Sequence, residues 1–346
     1  ACKGCKGDCP TQVDMATYKA EFMSHYYAGR LRPMPAYTMG LIYWWAGMAS
    51  YVPTLANAMT RLPFTKTLTS VAEKRRMPQF AATTFGRQFA KREKVASARN
   101  ARRVVLWADT FNNHFLPHTA MAAVEVLERA GYSVTIPRKR LCCGRPLYDW
   151  GFLGGAKRLL RTTLDALGPD LDAGVPVIGL EPSCVSVFRD ELTGLLPDDA
   201  RARQLAQSTF TLSEFLLREN VALPTLHRKA LVQAHCHHKA VMRFDAEETL
   251  LRGIGLDLTH PDSGCCGMAG AFGFEKKHYD LSMKVGERVL LPMVREADAE
   301  TLIIADGFSC REQIEQSTGR ATLHFAEVLK LAYDALPAGA NPAASA

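Results

Sequence analysis

The chain has 346 residues, of which 47% are hydrophobic and 22% charged, with a formal net charge of +7 and ten cysteines. This length can bury two or three cores, and the composition excludes a disordered or fibrous protein. The cysteines are clustered rather than spread through a small domain. That clustering argues against a secreted disulfide framework and favours metal ligation in a reducing compartment, so we expect a cytoplasmic protein.

The first cysteine cluster opens the chain, where Cys2, Cys5 and Cys9 precede a proline. Its C-x2-C-x3-C-P spacing matches the last three cysteines of the bacterial ferredoxin run, whose short loops wrap a [4Fe–4S] cluster. The remaining cysteine of that run would fall before Ala1, so we interpret the chain as the C-terminal piece of something longer. A zinc knuckle is the alternative. We expect residues 1–65 to be the end of a ferredoxin-like segment followed by helices.

Two patterns predict these helices. Asp14 can cap a helix through about residue 28, in which apolar residues recur at helical spacing, namely Met15, Tyr18, Phe22 and Tyr26. Residues 39–56 are apolar, aromatic and uncharged over about a membrane length, but glycines and a proline interrupt them. We expect buried helices there. A transmembrane span and a peripheral membrane or partner-facing surface are the alternatives.

Basic residues concentrate between positions 66 and 103, where eleven Lys or Arg accompany only two Glu. We interpret residues 66–102 as a solvated basic linker. We expect no nucleic-acid partner, because nothing else in the sequence supports one. A docking surface for an acidic protein or for anionic lipid stays open.

From Arg103 onward, short apolar strands alternate with helices, which indicates parallel α/β sheets. The predicted elements are strands at 104–107, 133–136 and 175–180 with helices at 119–130 and 152–167, then strands at 230–234, 256–258 and 301–305. The second series repeats the first at an offset of 126 residues. We therefore predict an α/β fold with a first module over 103–220 and a second module over 221–335, both cysteine-rich. The tail 336–346 is expected to be disordered.

Each predicted module carries cysteines at the carboxyl ends of its strands, where parallel α/β sheets bind ligands. The second module has four, at Cys236, Cys265, Cys266 and Cys310. The first module has three, at Cys142, Cys143 and Cys184, with Thr110 where Cys236 would fall. Four thiolates suit a [4Fe–4S] cluster, with zinc and redox disulfide chemistry as alternatives. For the first module, a cluster completed by Asp109 or Glu181 and a metal-free degenerate repeat are both open.

Other residues beside the second module's cysteines can tune a bound cluster. Four glycines permit close backbone approach and N–H donation toward cluster sulfurs: Gly264, Gly267, Gly270 and Gly273. Polar residues around Cys236 are candidates for proton relay or for binding an anionic substrate or quinone: His235, His237, His238 and Lys239. Alternatively they hydrogen-bond to the cluster or the backbone, so no catalytic residue is assigned firmly.

Paired Cys-Cys-Gly modules behind a ferredoxin segment resemble the cysteine-rich (CCG) domain family. This family includes the B subunit of heterodisulfide reductase, the iron–sulfur subunits of glycolate oxidase and anaerobic glycerol-3-phosphate dehydrogenase, and the C-terminal half of FAD-linked D-2-hydroxyacid dehydrogenases. The resemblance is strongest to the last group, over residues 2 to about 331, and is carried by residues 5–22, 264–275 and 305–314.

The resemblance implies the iron–sulfur portion of an oxidoreductase acting on D-lactate, D-2-hydroxyglutarate, glycolate or a similar acid. It would relay electrons from reduced FAD, on an upstream domain or subunit outside this chain, to quinone or another acceptor. Peripheral contact with the inner face of the cytoplasmic membrane is a further expectation. The chain departs from heterodisulfide reductase at the closing C-x2-C, because Glu181 and Gly307 occupy its first position. A catalytic module of that kind and a zinc-stabilised interaction domain are therefore the alternatives to a relay.

Overall fold

The computed structural model of the chain describes residues 2–11, 13–93 and 101–337. Residues 94–100 of the predicted linker, and all but the first two residues of the predicted tail 336–346, lie outside that description. The architecture is mixed α/β, with two parallel sheets following a helical N-terminal segment. The α/β fold class predicted from the sequence is therefore confirmed.

The N-terminal segment, residues 2–93, consists of short helices. They are α1 (Gly4–Asp8), α2 (Met15–Tyr26), α3 (Met34–Thr38), α4 (Ile42–Ala49), α5 (Pro53–Arg61), α6 (Pro63–Thr69) and α7 (Phe85–Lys91). Asp14 caps α2 by accepting hydrogen bonds from the backbone N–H groups of Ala16 at 3.0 Å and Thr17 at 3.1 Å. The regularly spaced large side chains of α2 face solvent, whereas the helix buries Ala16 and Ala20.

The apolar stretch 39–56 forms two helices with a break at Pro53 rather than one long helix. Our expectation of burial is wrong for its large side chains, because Trp45 and Tyr51 are 45% and 78% exposed. Small residues face inward instead. At Gly47 an added Cβ would lie 1.3 Å from Nη1 of Arg140, so only glycine allows this approach. Among the described residues, no helix is both long and apolar enough to cross a membrane.

The first module contains a four-stranded parallel sheet in the order β2-β1-β3-β4. Its elements are β1 (Arg103–Trp107), α8 (Thr110–His114), α9 (Pro117–Arg129), β2 (Ser133–Thr135), α10 (Arg145–Asp149), α11 (Leu153–Asp172), β3 (Val177–Gly179), α12 (Pro182–Ser186), α13 (Leu192–Leu195), α14 (Ala200–Ser208), β4 (Thr209–Thr211) and α15 (Leu212–Arg218). The last four residues of β1 are buried, as expected for a strand covered on both faces.

The second module contains a parallel sheet in the order β6-β5-β7. Its elements are β5 (Lys229–Val232), a π-helical turn (His238–Met242), α16 (Asp245–Gly253), β6 (Asp257–Thr259), α17 (Tyr279–Gly286), α18 (Leu290–Glu296), β7 (Leu302–Ile304), α19 (Phe308–Thr318) and α20 (Phe325–Asp334). A parallel bridge between Ile304 and Leu323 stands where the first module has β4.

The strand registers repeat between the two modules. Val105 pairs with Val177 in the first sheet, and Leu231 pairs with Ile303 in the second, so both partners recur 126 residues later. On the other side of each central strand the offset is 124 residues, and for the double cysteines it is 123. The three-residue deletion is thus divided, with two residues lost before β6 and one after it.

The modules are packed together through a shared core and a shared carboxylate. One buried apolar cluster includes residues of both β1 and β5. Helices α15 and α20 each begin with a capping box, formed by Thr211 with Glu214 and by His324 with Glu327. Glu327 also accepts a hydrogen bond from the Thr119 hydroxyl of the first module at 3.0 Å. The packing fixes the cysteine-bearing loops of both modules in one body.

Candidate metal centre

The four cysteines of the second module meet at one edge of its sheet; we call them the second-module cysteine set. Cys236 follows β5, the pair Cys265 and Cys266 follows β6, and Cys310 lies in the first turn of α19 after β7. Cys265 lies close enough to Cys236 and Cys266, and Cys266 close enough to Cys310, for each thiol to shift the pKa of its neighbour. All four are free thiols. Parallel topology explains the convergence, since the carboxyl ends of neighbouring strands lie at the same edge.

The second-module cysteine set is largely shielded from water. Cys266 and Cys310 are buried, and Cys236 and Cys265 are half-buried. Contact with Cys265, together with burial, raises the pKa of Cys236 well above its ordinary value. Contacts with Cys2 and Cys236 lower the pKa of Cys265. Close thiols that share protons in this way are a soft donor set whose protons a metal centre can replace.

Cys2 reaches this set from the N-terminal segment. Its thiol contacts the Cys265 thiol, and this contact together with burial raises the pKa of Cys2. The neighbouring helix α1 packs on the π-helical turn that follows Cys236, so that a Cβ added at Gly7 would lie 3.6 Å from the Ala240 Cα. The spacing of the cysteines gives no indication of this contact, because Cys2 and Cys265 are far apart in the chain.

Lys3 holds the start of the chain against the first module. Its side chain is fully buried, and its Nζ donates a hydrogen bond to Asp14 at 2.7 Å. The ammonium group also pairs with Asp190 and lies 3.0 Å from Glu191. Burial opposes the charge, but these carboxylates outweigh it and raise the pKa of Lys3. The neighbouring Cys2 is thereby held at a fixed position.

The other two cysteines of the N-terminal motif are less enclosed. Cys5 is exposed, and Cys9 is half-buried with its Sγ 3.2 Å from the Thr11 hydroxyl. The motif forms the short helix α1, closed by a hydrogen bond from the Cys9 N–H to the Cys5 carbonyl at 2.9 Å.

The three cysteines of the first module also converge. The Sγ atoms of Cys143 and Cys184 lie 2.9 Å apart, and Cys143 contacts Cys142. All three are buried. Thr110 lies near Cys142 at the position that corresponds to Cys236, and within the described residues its buried hydroxyl has no hydrogen-bond partner. The first module therefore presents three thiols and one hydroxyl.

Asp109 and Glu181, the candidate oxygen ligands of the first module, are occupied by other contacts. Asp109 accepts two backbone N–H groups of α8 and the Asn112 side-chain amide, the latter at 2.7 Å. Glu181 accepts the Ser183 hydroxyl at 2.8 Å with one oxygen and the Phe308 N–H at 2.9 Å with the other. Burial and the nearby Asp109 raise the pKa of Glu181 to about 7. These contacts argue against either carboxylate as an iron ligand.

Glu181 thus caps two helices, α12 of its own module and α19, which carries Cys310. Gly307 precedes α19 and has no side chain with which to cap it. A Cβ at Gly307 would lie 2.2 Å from Cδ2 of His235, so a cysteine does not fit there without displacing that ring. The packing of the second module around Gly307 therefore excludes the first cysteine of a closing C-x2-C.

A family model described as "CCG: Cysteine-rich domain" matches residues 109–189 and 232–315. Lactate utilization protein A of Bacillus velezensis is 33% identical over 244 residues, which cover 66% of this chain and 98% of that protein. The chain belongs to the CCG cysteine-rich domain family. This confirms the resemblance predicted from the sequence.

Two further relatives of this CCG protein are named as dehydrogenases, which are oxidoreductases. D-2-hydroxyglutarate dehydrogenase of Pseudomonas putida is 28% identical over 347 residues, covering 95% of this chain and 33% of that protein. A subunit of the anaerobic glycerol-3-phosphate dehydrogenase of Escherichia coli is 28% identical over 284 residues, covering 79% of this chain and 70% of that protein. The chain spans about a third of the length of the D-2-hydroxyglutarate dehydrogenases that it matches.

The three histidines beside Cys236 are buried in the second CCG module. His235 is 6% exposed, and burial lowers its pKa to about 3, so it is uncharged at neutral pH. His237 lies 3.2 Å from the Ser186 hydroxyl through Nδ1 and 3.2 Å from Arg145 through Nε2. His238 is 1% exposed, and Lys239 is half-buried on the same turn. This burial supports a role in fixing the Cys236 loop rather than in binding substrate.

The glycines after the double cysteine let the loop fold tightly around it. Gly267 donates its backbone N–H to Cys265 Sγ at 3.3 Å and has φ +92°, a conformation that favours glycine. A Cβ on Gly267 would lie 2.2 Å from the Ser282 carbonyl oxygen. Gly264 and Gly270 also have positive φ, at +61° and +67°.

Arg75 is a residue of this site that the sequence did not reveal. We expected a solvated linker, but this side chain is 1% exposed. Its guanidinium donates to the Gly273 carbonyl at 2.9 Å, the Ser282 hydroxyl at 3.0 Å and the Gln313 side-chain oxygen at 2.6 Å. A basic residue within a basic run carries no local signal of burial. The expectation is therefore wrong at Arg75, which ties residues 66–93 to the glycine loop behind Cys266.

Proposed function

We propose that this chain is the iron–sulfur electron-transfer portion of an FAD-dependent D-2-hydroxyacid dehydrogenase. It would pass electrons from reduced flavin, on another domain or subunit, to quinone or another acceptor. The contact between Cys2 and Cys265 carries this proposal, because it brings a ferredoxin-type motif directly against the second-module cysteine set. The relatives named D-2-hydroxyglutarate dehydrogenase support the substrate class.

The second-module cysteine set fits a [4Fe–4S] cluster. It offers four free thiols from three loops, and the Gly267 N–H already points at one of the sulfurs. A cluster bound there would supply one-electron transfer, and N–H groups directed at its sulfurs would adjust its potential. An all-sulfur set also binds zinc, which would instead give a structural site.

The residues around the set hold the two groups of thiols in contact and limit the access of water. Lys3 fixes the first turn of the chain through three carboxylates, and the buried Cys266 and Cys310 close the inner side of the set. The influence of Cys265 on the pKa of Cys2 indicates that the two ligand groups are neighbours at that point. This arrangement suits electron passage between neighbouring centres better than the binding of a bulky disulfide substrate.

The N-terminal segment exposes apolar side chains, which supports binding of a partner there, either a protein or the quinone acceptor. Large apolar side chains of α2 to α6 are exposed, among them Phe22, Trp45, Tyr51 and Phe64. Concentrations of exposed apolar side chains mark interaction sites when they form a contiguous patch. The relative named as a dehydrogenase subunit supports a multisubunit context. A membrane surface bound peripherally is the other partner that we propose for these side chains.

The test is electron transfer to quinone by the anaerobically reconstituted chain. The protein is reduced with dithionite, separated from excess reductant and mixed with a water-soluble quinone while its visible absorbance is followed. We expect the wild type to be reoxidised by the quinone. Reoxidation should be greatly diminished in Cys265→Ser and unchanged in the control variant Ser309→Ala. Turnover of a disulfide by the chain alone would favour the catalytic alternative, and zinc without iron would favour the interaction domain.

A further inference from the structure

A second group of metal-binding side chains lies in the same module, apart from the thiols. It consists of His238, Glu247 and Asp306, and one donor atom from each lies within 4.8 Å of the other two. His238 and Glu247 are 1% exposed, and the Asp306 side chain is 9% exposed. The group joins the turn after Cys236, helix α16 and the loop before Cys310. We call it the buried triad.

Asp306 accepts the Phe325 N–H at 2.8 Å, but polar atoms of the other two residues of the buried triad lack partners. Among the described residues, neither ring nitrogen of His238 has a hydrogen-bond partner, and Oε2 of Glu247 has none either. His238 Nδ1 faces that oxygen at 3.7 Å, which is too long for a hydrogen bond. A buried polar group without a partner destabilises the folded protein. A bonded ion between these atoms would remove that cost.

The charges of the buried triad are also unbalanced. Glu247 and Asp306 place two carboxyl groups close together in a buried position. Arg189 is close enough to influence His238, but its guanidinium is bonded to both oxygens of Glu214 at 2.7 and 2.9 Å.

The remaining neighbour, His324, lies 3.5 Å from Asp306. Its ring is already engaged, because Nδ1 accepts the Ala326 N–H at 3.0 Å and Nε2 lies 3.0 Å from the Leu180 carbonyl oxygen. Nε2 is therefore the protonated nitrogen of a neutral ring. Within the part of the chain that the structure describes, no lysine or arginine is therefore bonded between the two carboxylates.

We propose that His238, Glu247 and Asp306 bind one divalent first-row metal ion of the Mn²⁺, Fe²⁺ or Zn²⁺ class. Two carboxylates and a neutral imidazole carry a formal charge of –2, which one such ion balances. Two ligand atoms of one ion on bonds of about 2.0–2.2 Å lie about 3.3–3.6 Å apart at tetrahedral angles. His238 Nδ1 and Glu247 Oε2, at 3.7 Å, are already close to that separation, and the Asp306 oxygen, within 4.8 Å of both, has to move closer. Nitrogen and oxygen donors distinguish this site from the softer thiols nearby.

The ion would fasten the two loops that carry Cys236 and Cys310. The first module has no such triad, since the residues 126 positions earlier are Asn112, Met121 and Leu180. That module also has no cysteine at the position of Cys236. The triad and the fourth cysteine therefore occur together, as expected if the ion holds the Cys236 loop in place.

Mn²⁺ titration of the anaerobically reconstituted chain tests the proposal, with free Mn²⁺ measured by its EPR signal. We expect one Mn²⁺ bound per chain in the wild type. Glu247→Gln removes one ligand and should weaken binding by more than about 100-fold. The matched control is Glu248→Gln on the same helix, whose carboxylate instead pairs with Arg252 and His260. It should bind Mn²⁺ as the wild type does.

Two results would overturn the proposal. One is that the wild type binds no Mn²⁺ at this stoichiometry and contains no other divalent ion as purified. Glu247 and Asp306 would then be a carboxyl pair that shares a proton. The other is equal binding by the wild type and Glu247→Gln. Circular dichroism checks the fold of each variant, and Asp306→Asn replaces Glu247→Gln if the latter is unfolded. Because the readout is Mn²⁺, the outcome does not depend on the electron-transfer proposal.

Discussion

Replacing Arg75 with methionine tests whether the basic segment belongs to the cysteine site. The guanidinium is buried and donates hydrogen bonds to three oxygen atoms, those of the Gly273 carbonyl, the Ser282 hydroxyl and the Gln313 side chain. Each buried acceptor left without its donor costs about 1–3 kcal/mol, and three acceptors would lose theirs. Burial already lowers the pKa of Arg75, so part of the cost of burying the cation is recovered. We therefore expect about 3 kcal/mol of destabilisation.

The assay is urea unfolding followed by circular dichroism, with iron retention measured on the same samples. The control is Arg76→Met, because the Arg76 side chain is exposed and its contacts to Gln316 use backbone atoms. A surface change of this kind should lie within about 0.5 kcal/mol of the wild type. Equal stability and equal iron retention in Arg75→Met and Arg76→Met would refute the reasoning.

Three further substitutions test other parts of the structure. Gly267→Ala places a Cβ 2.2 Å from a carbonyl oxygen, at a residue with φ +92°. It should lower the free energy of unfolding in urea by about 2–5 kcal/mol. The control Gly264→Ala should cost less, because a Cβ at Gly264 has open space around it at φ +61°. Glu327→Gln should cost about 3 kcal/mol at pH 7. Burial opposes the charge of Glu327, but contacts with His118 and Arg311 outweigh it and lower its pKa from 4.5 to about 2. The stability difference between the wild type and Glu327→Gln should therefore shrink as the pH falls from 4.5 to about 2. Thr110→Cys supplies a fourth thiol to the first module and should raise the iron content of chelator-washed protein.

Each substitution has its own contradicting result. Equal losses in Gly267→Ala and Gly264→Ala would show that the close approach to the carbonyl does not constrain the loop. Glu214→Gln is the control for Glu327→Gln, because it changes the corresponding capping box of the first module. A deficit in Glu327→Gln that is as large at pH 3 as at pH 7 would contradict the assigned pKa. Unchanged iron in Thr110→Cys would mean that the missing thiol is not what limits the first module.

The sequence predicted the fold class and the duplication because both depend on local patterns. Alternation of strands and helices identifies a parallel sheet, and the carboxyl ends of its strands lie together whatever the loops contain. The convergence of Cys236, Cys265, Cys266 and Cys310 follows from that rule and from the offset of 126 residues.

The remaining features depend on contacts between distant parts of the chain. Nothing near Cys2 indicates that it meets Cys265, and nothing near Glu181 indicates that it caps the helix of Cys310. Burial of Arg75 is equally invisible, because its partners lie about 200 residues away. In α2 the spacing of the large side chains predicts the helix. Spacing alone does not say whether those side chains face the core or the solvent.

The central claim is that the second-module cysteine set holds an electron-transferring cluster. Iron and acid-labile sulfide analysis with EPR of the dithionite-reduced protein tests it most directly, with Cys310→Ser compared against the wild type. We expect the variant to contain about four iron and four sulfide fewer per chain and to lose one paramagnetic signal. Identical iron content and spectra in the two proteins, or zinc in place of iron, would contradict the account.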